Sequence, residues 1–253
     1  MNSEEKYLRV VQISDCHLSA DPRTPYRGQD ADANLKMVWR RALDWGPDLV
    51  MLTGDLSEDA SRASYQRLDD VLQTNLPLLA LPGNHDDPGL MRRHFPSGPW
   101  EGPLAHDVGD WMILMCDSTL PRRVEGRFSE EDLGQIRDAM RQSDCAHILL
   151  ALHHQPVSVA APWIDKYRLM EPEGFIELVA DEPRVRCVVW GHIHHHFGQE
   201  KDGVLWLGAP SSAANSLARS DRFRPDPAGA ACRTLQLGRD GRVDYGQLFA
   251  DRQ

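Results

Sequence analysis

Short apolar runs alternate with segments of helical periodicity through most of the chain. Three runs near the N terminus, at 8–14, 48–54 and 77–83, have the length and composition of buried strands. The stretches between them, 33–45 and 58–75, carry apolar residues at helical spacing. Because strands alternate with helices, the sequence predicts an α/β fold with a parallel sheet and right-handed crossovers.

The same alternation continues beyond the middle of the chain. Strands are predicted at 111–118, 146–152 and 184–192. Helices are predicted at 129–142 and 173–181, and Ser129 followed by an acidic residue three positions later resembles a capping box.

The C-terminal part has a different pattern. Residues 204–250 predict antiparallel strands joined by turns that contain glycine. Within this part, 211–229 contains prolines and small polar residues and predicts a loop on the substrate side. No repeat or linker interrupts the 253 residues, so residues 1–253 are predicted to form a single domain.

Composition excludes several classes of function. The net charge is −10, from 28 basic and 38 acidic residues, which would repel a duplex nucleic acid. No apolar stretch approaches the ~18 residues of a transmembrane helix, and the N terminus lacks a secretory apolar core. The five cysteines form no CxxC pair, which fits a reducing cytosol. We therefore expect a soluble cytoplasmic protein with no nucleic-acid or membrane partner.

Polar side chains follow the predicted strands at the points where the strands end. Because ligands bind at the carboxyl ends of strands in open parallel sheets, these residues should converge although they are distant in sequence. The groups are Asp15-x-His17, Gly54-Asp55, Gly83-Asn84-His85-Asp86, His153-His154 and Gly191-His192-x-His194.

The donor types in these groups indicate metal binding. Carboxylates, one amide and several imidazoles suit Mn, Fe, Co or Zn, and no thiolate is needed. The groups offer too many ligands for one ion and about the right number for two ions that share a carboxylate. Two-metal sites activate water for in-line attack on phosphorus, so the pattern favours phosphoester chemistry.

Spacing within the groups suggests how the side chains converge. Alternate residues of an extended segment face the same way, so Asp15 and His17 are expected to reach one ion while Cys16 faces away. The glycines at 54, 83 and 191 are expected to permit tight turns and close backbone approach.

Each motif alone also has an ordinary structural interpretation. An isolated Asp-x-His or Gly-Asp is common in turns, and the Asn-His-Asp segment can begin a helix with Asp86 or Asp87 as its N-cap. The joint placement of all the groups at strand ends favours a metal site over these alternatives. His153 and His154 compete for one ligand position, and we favour His153. The next histidines, His195 and His196, are expected to make only solvent or outer contacts.

Together, in this order, the motifs resemble those of the calcineurin-like metallophosphoesterases and extend from residue 15 to 194. The resemblance implies a four-layer α/β/β/α sandwich with two divalent or mixed-valence ions of Mn, Fe, Co or Zn. Carried over to the matching positions, the first ion is held by Asp15, His17 and His194, the second by Asn84, His153 and His192, and Asp55 bridges both.

The resemblance also implies roles in catalysis and substrate binding. His85 is expected near the leaving-group oxygen, where it donates a proton or stabilises the transition state. Asp86 is expected to orient His85. Asn84, His85 and His194 are the residues expected to contact the substrate.

Within the family, the chain length and the segment LLALHHQP are most similar to bacterial 3′,5′-cyclic-nucleotide phosphodiesterases. The resemblance predicts hydrolysis of 3′,5′-cyclic AMP or a related cyclic nucleotide, a small-molecule phosphodiester. Alternatives are a 2′,3′-cyclic nucleotide, a glycerophosphodiester or a phosphomonoester as substrate, or a non-catalytic scaffold with the same fold. The resemblance leaves a homodimer open, and Trp163 is a candidate for lining the pocket.

Overall fold

Two mixed β-sheets pack face to face in the computed structural model, which describes residues 7–250. The strands are β1 (Leu8–Ile13), β2 (Leu49–Thr53), β3 (Leu78–Leu81), β4 (Leu104–Val108), β5 (Trp111–Met115), β6 (His147–Ala151), β7 (Val185–Trp190), β8 (Phe197–Lys201), β9 (Val204–Gly208), β10 (Ala231–Leu237) and β11 (Val243–Phe249).

Helices cover the outer faces of both sheets. They are α1 (Ala31–Trp45), α2 (Arg62–Val71), α3 (Pro88–His94), α4 (Glu130–Gln142), α5 (Pro162–Asp165) and α6 (Glu173–Asp181). Within residues 7–250, none of these helices has the length and apolar character needed to cross a membrane.

The two sheets have related topologies. The first has the strand order β11-β10-β1-β2-β3, and the second has the order β4-β5-β6-β7-β9-β8. Strands β1, β2 and β3 are parallel to one another, and so are β5, β6, β7 and β9. The predicted α/β class and the four-layer sandwich are therefore confirmed.

Three apolar layers hold the sandwich together. Between the sheets, inward-facing side chains such as Val10, Met51, Leu149 and Val189 are fully buried. Helices α1–α3 pack their apolar faces on the first sheet, and α4–α6 pack theirs on the second. Strands with both faces covered need apolar residues at successive positions, which is why the central strands are near-continuous apolar runs.

Some helix ends match the sequence expectations closely. Ser129 and Asp132 form the predicted capping box at the start of α4. Asp87, one of the two candidates, is the N-cap of α3 and accepts a hydrogen bond from the backbone of Leu90.

Other elements differ from the expectations. Helix α2 begins at Arg62 instead of residue 58, because Ser61 caps it and residues 58–61 form a turn held by Asp59. Strand β9 is antiparallel to β8 but parallel to β7, so the antiparallel prediction for this strand is only half right. The short elements β4, β8 and α5 were not predicted.

Candidate metal centre

The C-terminal ends of strands from both sheets meet at one place. Asp15, Asp55 and Asn84 follow the parallel strands β1, β2 and β3 of the first sheet, whereas His153 and 192–194 follow β6 and β7 of the second. Donor groups that are far apart in sequence therefore converge, as the sequence predicts, but from two packed sheets rather than one.

A buried glutamine ties the two sheets together below this point. Gln12 Nε2 donates to Thr53 Oγ1 over 3.0 Å and to the Trp190 carbonyl over 3.1 Å. These two hydrogen bonds fix the distance between the ends of β2 and β7, and donor residues follow directly after both strands.

The backbone at the donor residues is not extended. Asp15, His17, Asp55, His192 and His194 have φ values of 54°, 45°, 51°, 66° and 52°. The expectation that extended alternation aims Asp15 and His17 is therefore wrong, because left-handed residues re-aim the chain just after each strand. Such conformations cost about 1–3 kcal/mol each and persist only where the surroundings enforce them.

Cys16 lies between two of these left-handed residues and takes no part in the donor cluster. It is fully buried, and its Sγ accepts a hydrogen bond of 3.3 Å from Ser212 Oγ. The expectation that Cys16 faces away from the metal ligands holds, although the reason is different.

Two glycines permit the close approach of these strand ends. A Cβ on Gly54, where φ is +88°, would lie 2.5 Å from His153 Nδ1. A Cβ on Gly191 would lie 2.9 Å from Asp15 Oδ2. Neither position has room for a side chain, so the glycine prediction is confirmed at both.

The first group of donors consists of Asp15, His17 and His194, all buried. His194 Nε2 lies 3.2 Å from Asp15 Oδ1 and 3.1 Å from His17 Nε2. The three donor atoms lie within 4.8 Å of one another, which is the spacing that one shared ion requires.

Hydrogen bonds on the far side of each ring set which nitrogen faces this group. His17 Nδ1 lies 2.8 Å from Glu58 Oε2, and His194 Nδ1 lies 3.0 Å from the carbonyl of Ala214. Both partners are acceptors, so Nδ1 carries the proton in each ring and Nε2 presents a lone pair.

The second group consists of Asn84, His153 and His192. His153 Nδ1 donates to the Thr53 carbonyl over 2.8 Å, and His192 Nε2 donates to the Tyr167 carbonyl over 3.2 Å. Within residues 7–250, the buried atoms Asn84 Oδ1 and His153 Nε2 have no hydrogen-bond partner. Buried polar atoms rarely stay unpaired. The unpaired Asn84 Oδ1, and a His153 Nε2 that has only the Asp55 carboxylate beside it at 3.4 Å, therefore fit a cation at this position.

Asp55 lies between the two groups. Its Oδ2 is 3.8 Å from His17 Nε2 and 3.4 Å from His153 Nε2. Its Oδ1 accepts a hydrogen bond of 2.9 Å from the backbone of His85. Oδ2 thus lies within reach of donor atoms from both groups.

The competition between His153 and His154 is decided by their hydrogen bonds. His154 Nδ1 pairs with Ser118 Oγ at 2.9 Å, and its Nε2 donates to the Val124 carbonyl at 3.1 Å. Although His154 lies close enough to ligate, both of its nitrogens are engaged, whereas His153 keeps one free. This geometry favours His153.

His195 and His196 lie outside both groups. Of the solvent or outer contacts expected for His195, the ring makes the outer kind, since it is only 4 % exposed and its Nδ1 donates to the Ile193 carbonyl over 2.7 Å. His196 is exposed and pairs with Arg233.

The charge states suit cation binding. Burial opposes the ionisation of Asp15 and Asp55, but the neighbouring imidazoles outweigh it and lower both pKa values. Burial lowers the pKa of His17 and of His192, which keeps these rings neutral. Burial also opposes protonation of His153, yet Asp55 raises its pKa to about 9, so a cation must displace that proton.

His85 lies at the rim of the cluster, with 36 % of its side chain exposed. Burial lowers its pKa, but Asp55 and Glu58 outweigh burial, and the pKa is raised above its usual value. The ring is thus biased toward its protonated form, which is the state that a proton donor requires.

The expectation that Asp86 orients His85 is wrong. The Asp86 carboxylate accepts hydrogen bonds from the backbone of Leu56, Ser57 and Gly83 and from the hydroxyl of Tyr65. It therefore fixes the loops that follow β2 and β3, and these contacts use its oxygens.

Glu58 makes the contact that was expected of Asp86. Its Oε2 lies 3.2 Å from His85 Nδ1 and 2.8 Å from His17 Nδ1, so one carboxylate supports both rings. Sequence reasoning missed Glu58 because it placed 58–75 in a helix. The signal that identifies it is the spacing Gly-Asp-x-x-Glu directly after β2.

Members of both donor groups, together with Asp55 and His85, line an open cavity of about 370 Å³. Its walls come from loops and carry both aromatic and basic side chains. Trp163 lines the cavity, as predicted, together with Tyr26, Arg27, Lys166 and Phe223.

The model of the calcineurin-like phosphoesterase family matches residues 8–196. The chain belongs to this family, whose members use a dinuclear metal site, and it is a hydrolase. The resemblance stated from the motifs is confirmed.

Curated relatives are similar over nearly the whole chain. The 3′,5′-cyclic adenosine monophosphate phosphodiesterase CpdA of Pseudomonas aeruginosa is 32 % identical over 240 residues, covering 94 % of this chain and 88 % of that protein. A probable cyclic nucleotide phosphodiesterase of Synechococcus is 34 % identical over 235 residues, covering 92 % and 89 %.

Solved structures share the fold at low sequence identity. A dimetal phosphatase from Danio rerio superposes with a TM-score of 0.66 at 15 % identity, covering 96 % of this chain and 99 % of that one. A purple acid phosphatase from yellow lupin gives 0.69 at 16 % identity, covering 98 % and 55 %. These likenesses support the sandwich fold.

Proposed function

We propose that this protein is a metal-dependent phosphodiesterase that hydrolyses a 3′,5′-cyclic nucleotide, with 3′,5′-cyclic AMP as the first candidate. The observation that carries the proposal is the pair of donor groups on either side of Asp55, at an open cavity. The curated relatives, which are named as cyclic-nucleotide phosphodiesterases and align over nearly the whole chain, support the substrate class.

In this proposal, two ions occupy the two donor groups. Asp15, His17 and His194 would hold the first, Asn84, His153 and His192 would hold the second, and Asp55 would be shared by both. The mixed oxygen and nitrogen donors suit Mn, Fe, Co or Zn. When bound, such ions supply a water-derived nucleophile near neutral pH and positive charge beside the phosphoryl oxygens.

The residues of this chain then supply binding and proton transfer. His85 lies at the rim beside Asp55, where its protonated ring can donate to the ester oxygen that leaves phosphorus. Glu58 holds His85 and His17 in place through their Nδ1 atoms. Asn84 and His194 line the cavity, where they would contact the bound phosphate.

The charge around the cavity also suits an anionic substrate. The chain as a whole carries a net charge of −10. Arg27, Lys166 and Arg222 nevertheless line the cavity, with Asp221 as the acidic residue of its outer wall. These cations offset the general acidity where a phosphodiester must enter.

Two other candidate functions make different predictions. A different small substrate, such as a 2′,3′-cyclic nucleotide, a glycerophosphodiester or a phosphomonoester, requires only the same donor groups. A non-catalytic scaffold does not require the groups at all, yet every predicted donor is present, and each of the four donor imidazoles has a hydrogen-bond partner behind it. The retained donors therefore favour an enzyme.

The test is a substrate panel with controlled metal content. The protein is chelated, reloaded with Mn, Fe, Co or Zn in turn, and assayed on 3′,5′-cyclic AMP, 2′,3′-cyclic AMP, a glycerophosphodiester and a phosphomonoester. We expect the highest kcat/KM for 3′,5′-cyclic AMP, with AMP as product. A higher kcat/KM for any other member of the panel would reassign the substrate.

A cytoplasmic location and a homodimer stay predictions. The five cysteines are free thiols, which supports a reducing compartment. Fractionation of the source cells and sedimentation of the purified protein test these two predictions.

A further inference from the structure

Two aromatic side chains and an arginine form a cluster on one wall of the cavity. Trp163 comes from the loop that contains α5, Phe223 from the loop between β9 and β10, and Arg27 from the loop before α1. We call these three residues the aromatic wall. They come from three separate loops that meet beside the candidate metal centre.

The aromatic wall adjoins the first donor group. The rings of Trp163 and Phe223 are 5.5 Å apart and nearly perpendicular, at 85°. The centroid of each ring is also 6.3 Å from that of His194. A phosphate bound at the metal centre would lie beside His194. A base joined to that phosphate through one sugar ring would then reach the aromatic wall.

Arg27 fixes one side of the aromatic wall. Its guanidinium carbon lies 4.2 Å from the centroid of Phe223 and 5.8 Å from the ring of Trp163. Reciprocal backbone hydrogen bonds between Tyr26 and Gln29, at 3.0 and 2.9 Å, hold the turn around Arg27. The adjacent Tyr26 ring stacks on His17 at 3.9 Å and 5°, which couples this turn to the donor group.

The loop that carries Trp163 is held by many hydrogen bonds. The Asp165 carboxylate accepts bonds from the backbone of Val159 and Ala161 and from the hydroxyl of Ser158. Gln155 Nε2 also donates to the carbonyl of Ile164. Trp163 is thus held in place before any ligand binds, which lowers the entropic cost of stacking against it.

The loop that carries Phe223 is tied to the metal centre. The backbone N–H of Ser216 donates to the His194 carbonyl over 2.8 Å, and Leu217 pairs with Arg224 over 2.8 Å. The loop closes on itself again where Asp226 donates to the Asn215 carbonyl over 2.9 Å. Phe223 is therefore presented by a short closed loop.

Both aromatic rings keep part of their surface exposed. Trp163 packs one side against the core of the second sheet, and both Trp163 and Phe223 are only partly buried. They lie in a cavity whose remaining lining is largely polar or charged. Planar rings with an arginine over one face offer a stacking surface for a flat, electron-rich ring.

We propose that the aromatic wall binds the nucleobase of the substrate by stacking, and that it favours a purine over a pyrimidine. This inference rests on the proposed function, because it assigns a position to the base of the cyclic nucleotide. Because the two rings stand at 85° to each other, the base stacks on Trp163 and meets Phe223 at about a right angle while the cyclic phosphate lies at the metal centre. Arg27 acts as a positioning residue that holds the Phe223 ring.

The test separates the base from the phosphate. The substrates are 3′,5′-cyclic AMP, 3′,5′-cyclic CMP and a base-less analogue, methyl ribofuranoside 3′,5′-cyclic phosphate. The variants are Trp163→Ala, Trp163→Phe and Phe223→Ala. Leu217→Ala is the matched control, because Leu217 is 42 % exposed on the loop of Phe223 but does not line the cavity.

We expect Trp163→Ala to lower kcat/KM for cyclic AMP about tenfold, mostly through KM, since stacking of one base is worth a factor of this size. The ratio of cyclic AMP to cyclic CMP should fall toward one, and the base-less analogue should be unaffected. Trp163→Phe should restore most of the loss, and Leu217→Ala should match the parent. Equal losses on all three substrates, or no loss on cyclic AMP, would overturn the inference.

Binding of the product nucleotide tests the aromatic wall independently of turnover. Calorimetry on the metal-loaded protein compares AMP with ribose 5-phosphate, and we expect AMP to bind about tenfold more tightly in the parent but not in Trp163→Ala. Absence of cyclic-nucleotide turnover in the parent contradicts the proposed function. Equal affinity of the parent for AMP and ribose 5-phosphate contradicts the aromatic wall.

Discussion

The candidate metal centre and the aromatic wall are adjacent, yet they are built in opposite ways. The donors of the metal centre follow directly from buried strands, and every imidazole among them has a hydrogen-bonded partner behind it. The aromatic wall consists of two partly exposed rings and an exposed arginine, carried by three loops. The difference indicates a division of labour in which strand ends determine the chemistry and loops determine which group is carried to it.

The largest effect is expected from Asp55, which is shared by both donor groups. Asp55→Ala removes the carboxylate between His17 and His153, so turnover of bis(p-nitrophenyl) phosphate should fall by at least about a thousandfold. Metal analysis should show loss of bound metal. Asp138→Asn, on the exposed face of α4, is the control and should match the parent. Full activity of Asp55→Ala would disprove the bridging role.

His85 is the next test, because it separates proton donation from metal binding. His85→Ala should lower kcat for cyclic AMP by about a hundredfold or more, the usual size of general acid–base catalysis. Metal content should not change, since His85 lies at the rim and is outside both donor groups. If His85→Ala loses metal as well, the residue belongs to the metal centre instead.

Glu58 and Asp86 distinguish support of the rings from support of the loops. Glu58→Gln should reduce activity about 10- to 100-fold, as is usual for carboxylates that hold metal-ligating imidazoles, with little change in melting temperature. Asp86→Asn should instead lower the melting temperature, because three backbone N–H groups and Tyr65 lose a charged acceptor. The reverse pattern would return the orienting role to Asp86.

Metal affinity should depend on pH through His153. The pKa of this ring is raised to about 9 in the metal-free protein, so the ring holds a proton at pH 7 that a metal ion must displace. The apparent affinity should therefore rise by up to about tenfold per pH unit between pH 7 and 9 and then level off. Calorimetric titration in buffers of different ionisation enthalpy measures the released proton. An affinity that is flat over this range would contradict the assignment.

The same contrast explains which features can be predicted from the sequence. Strands β1, β2 and β3 could be predicted because a buried parallel strand is a continuous apolar run, and Asp15, Asp55 and Asn84 were recognisable because polar residues follow such runs directly. The family resemblance then added ligand roles that spacing alone does not provide.

Other features depend on contacts that a single sequence does not encode locally. The left-handed backbone at Asp15 and His17 accompanies hydrogen bonds from their N–H groups to the carbonyls that follow β2, and these contacts between distant residues are not visible in the local sequence. An extended segment was therefore the natural but incorrect expectation. Glu58 was assigned to a helix because it adjoins a stretch with apolar residues at helical spacing, whereas Asp59 holds a turn before Ser61 caps the helix. The pairing of Arg27 with Phe223 joins residues almost 200 positions apart.

Metal stoichiometry measured in parallel with cyclic-nucleotide turnover tests the central claim most directly. The chelated protein is titrated with Mn, and bound metal and the rate of AMP formation from 3′,5′-cyclic AMP are followed together. We expect no turnover without metal, binding of two ions per chain, and a rate that rises as the second ion binds. Undiminished hydrolysis of cyclic AMP by the fully chelated protein would contradict the account.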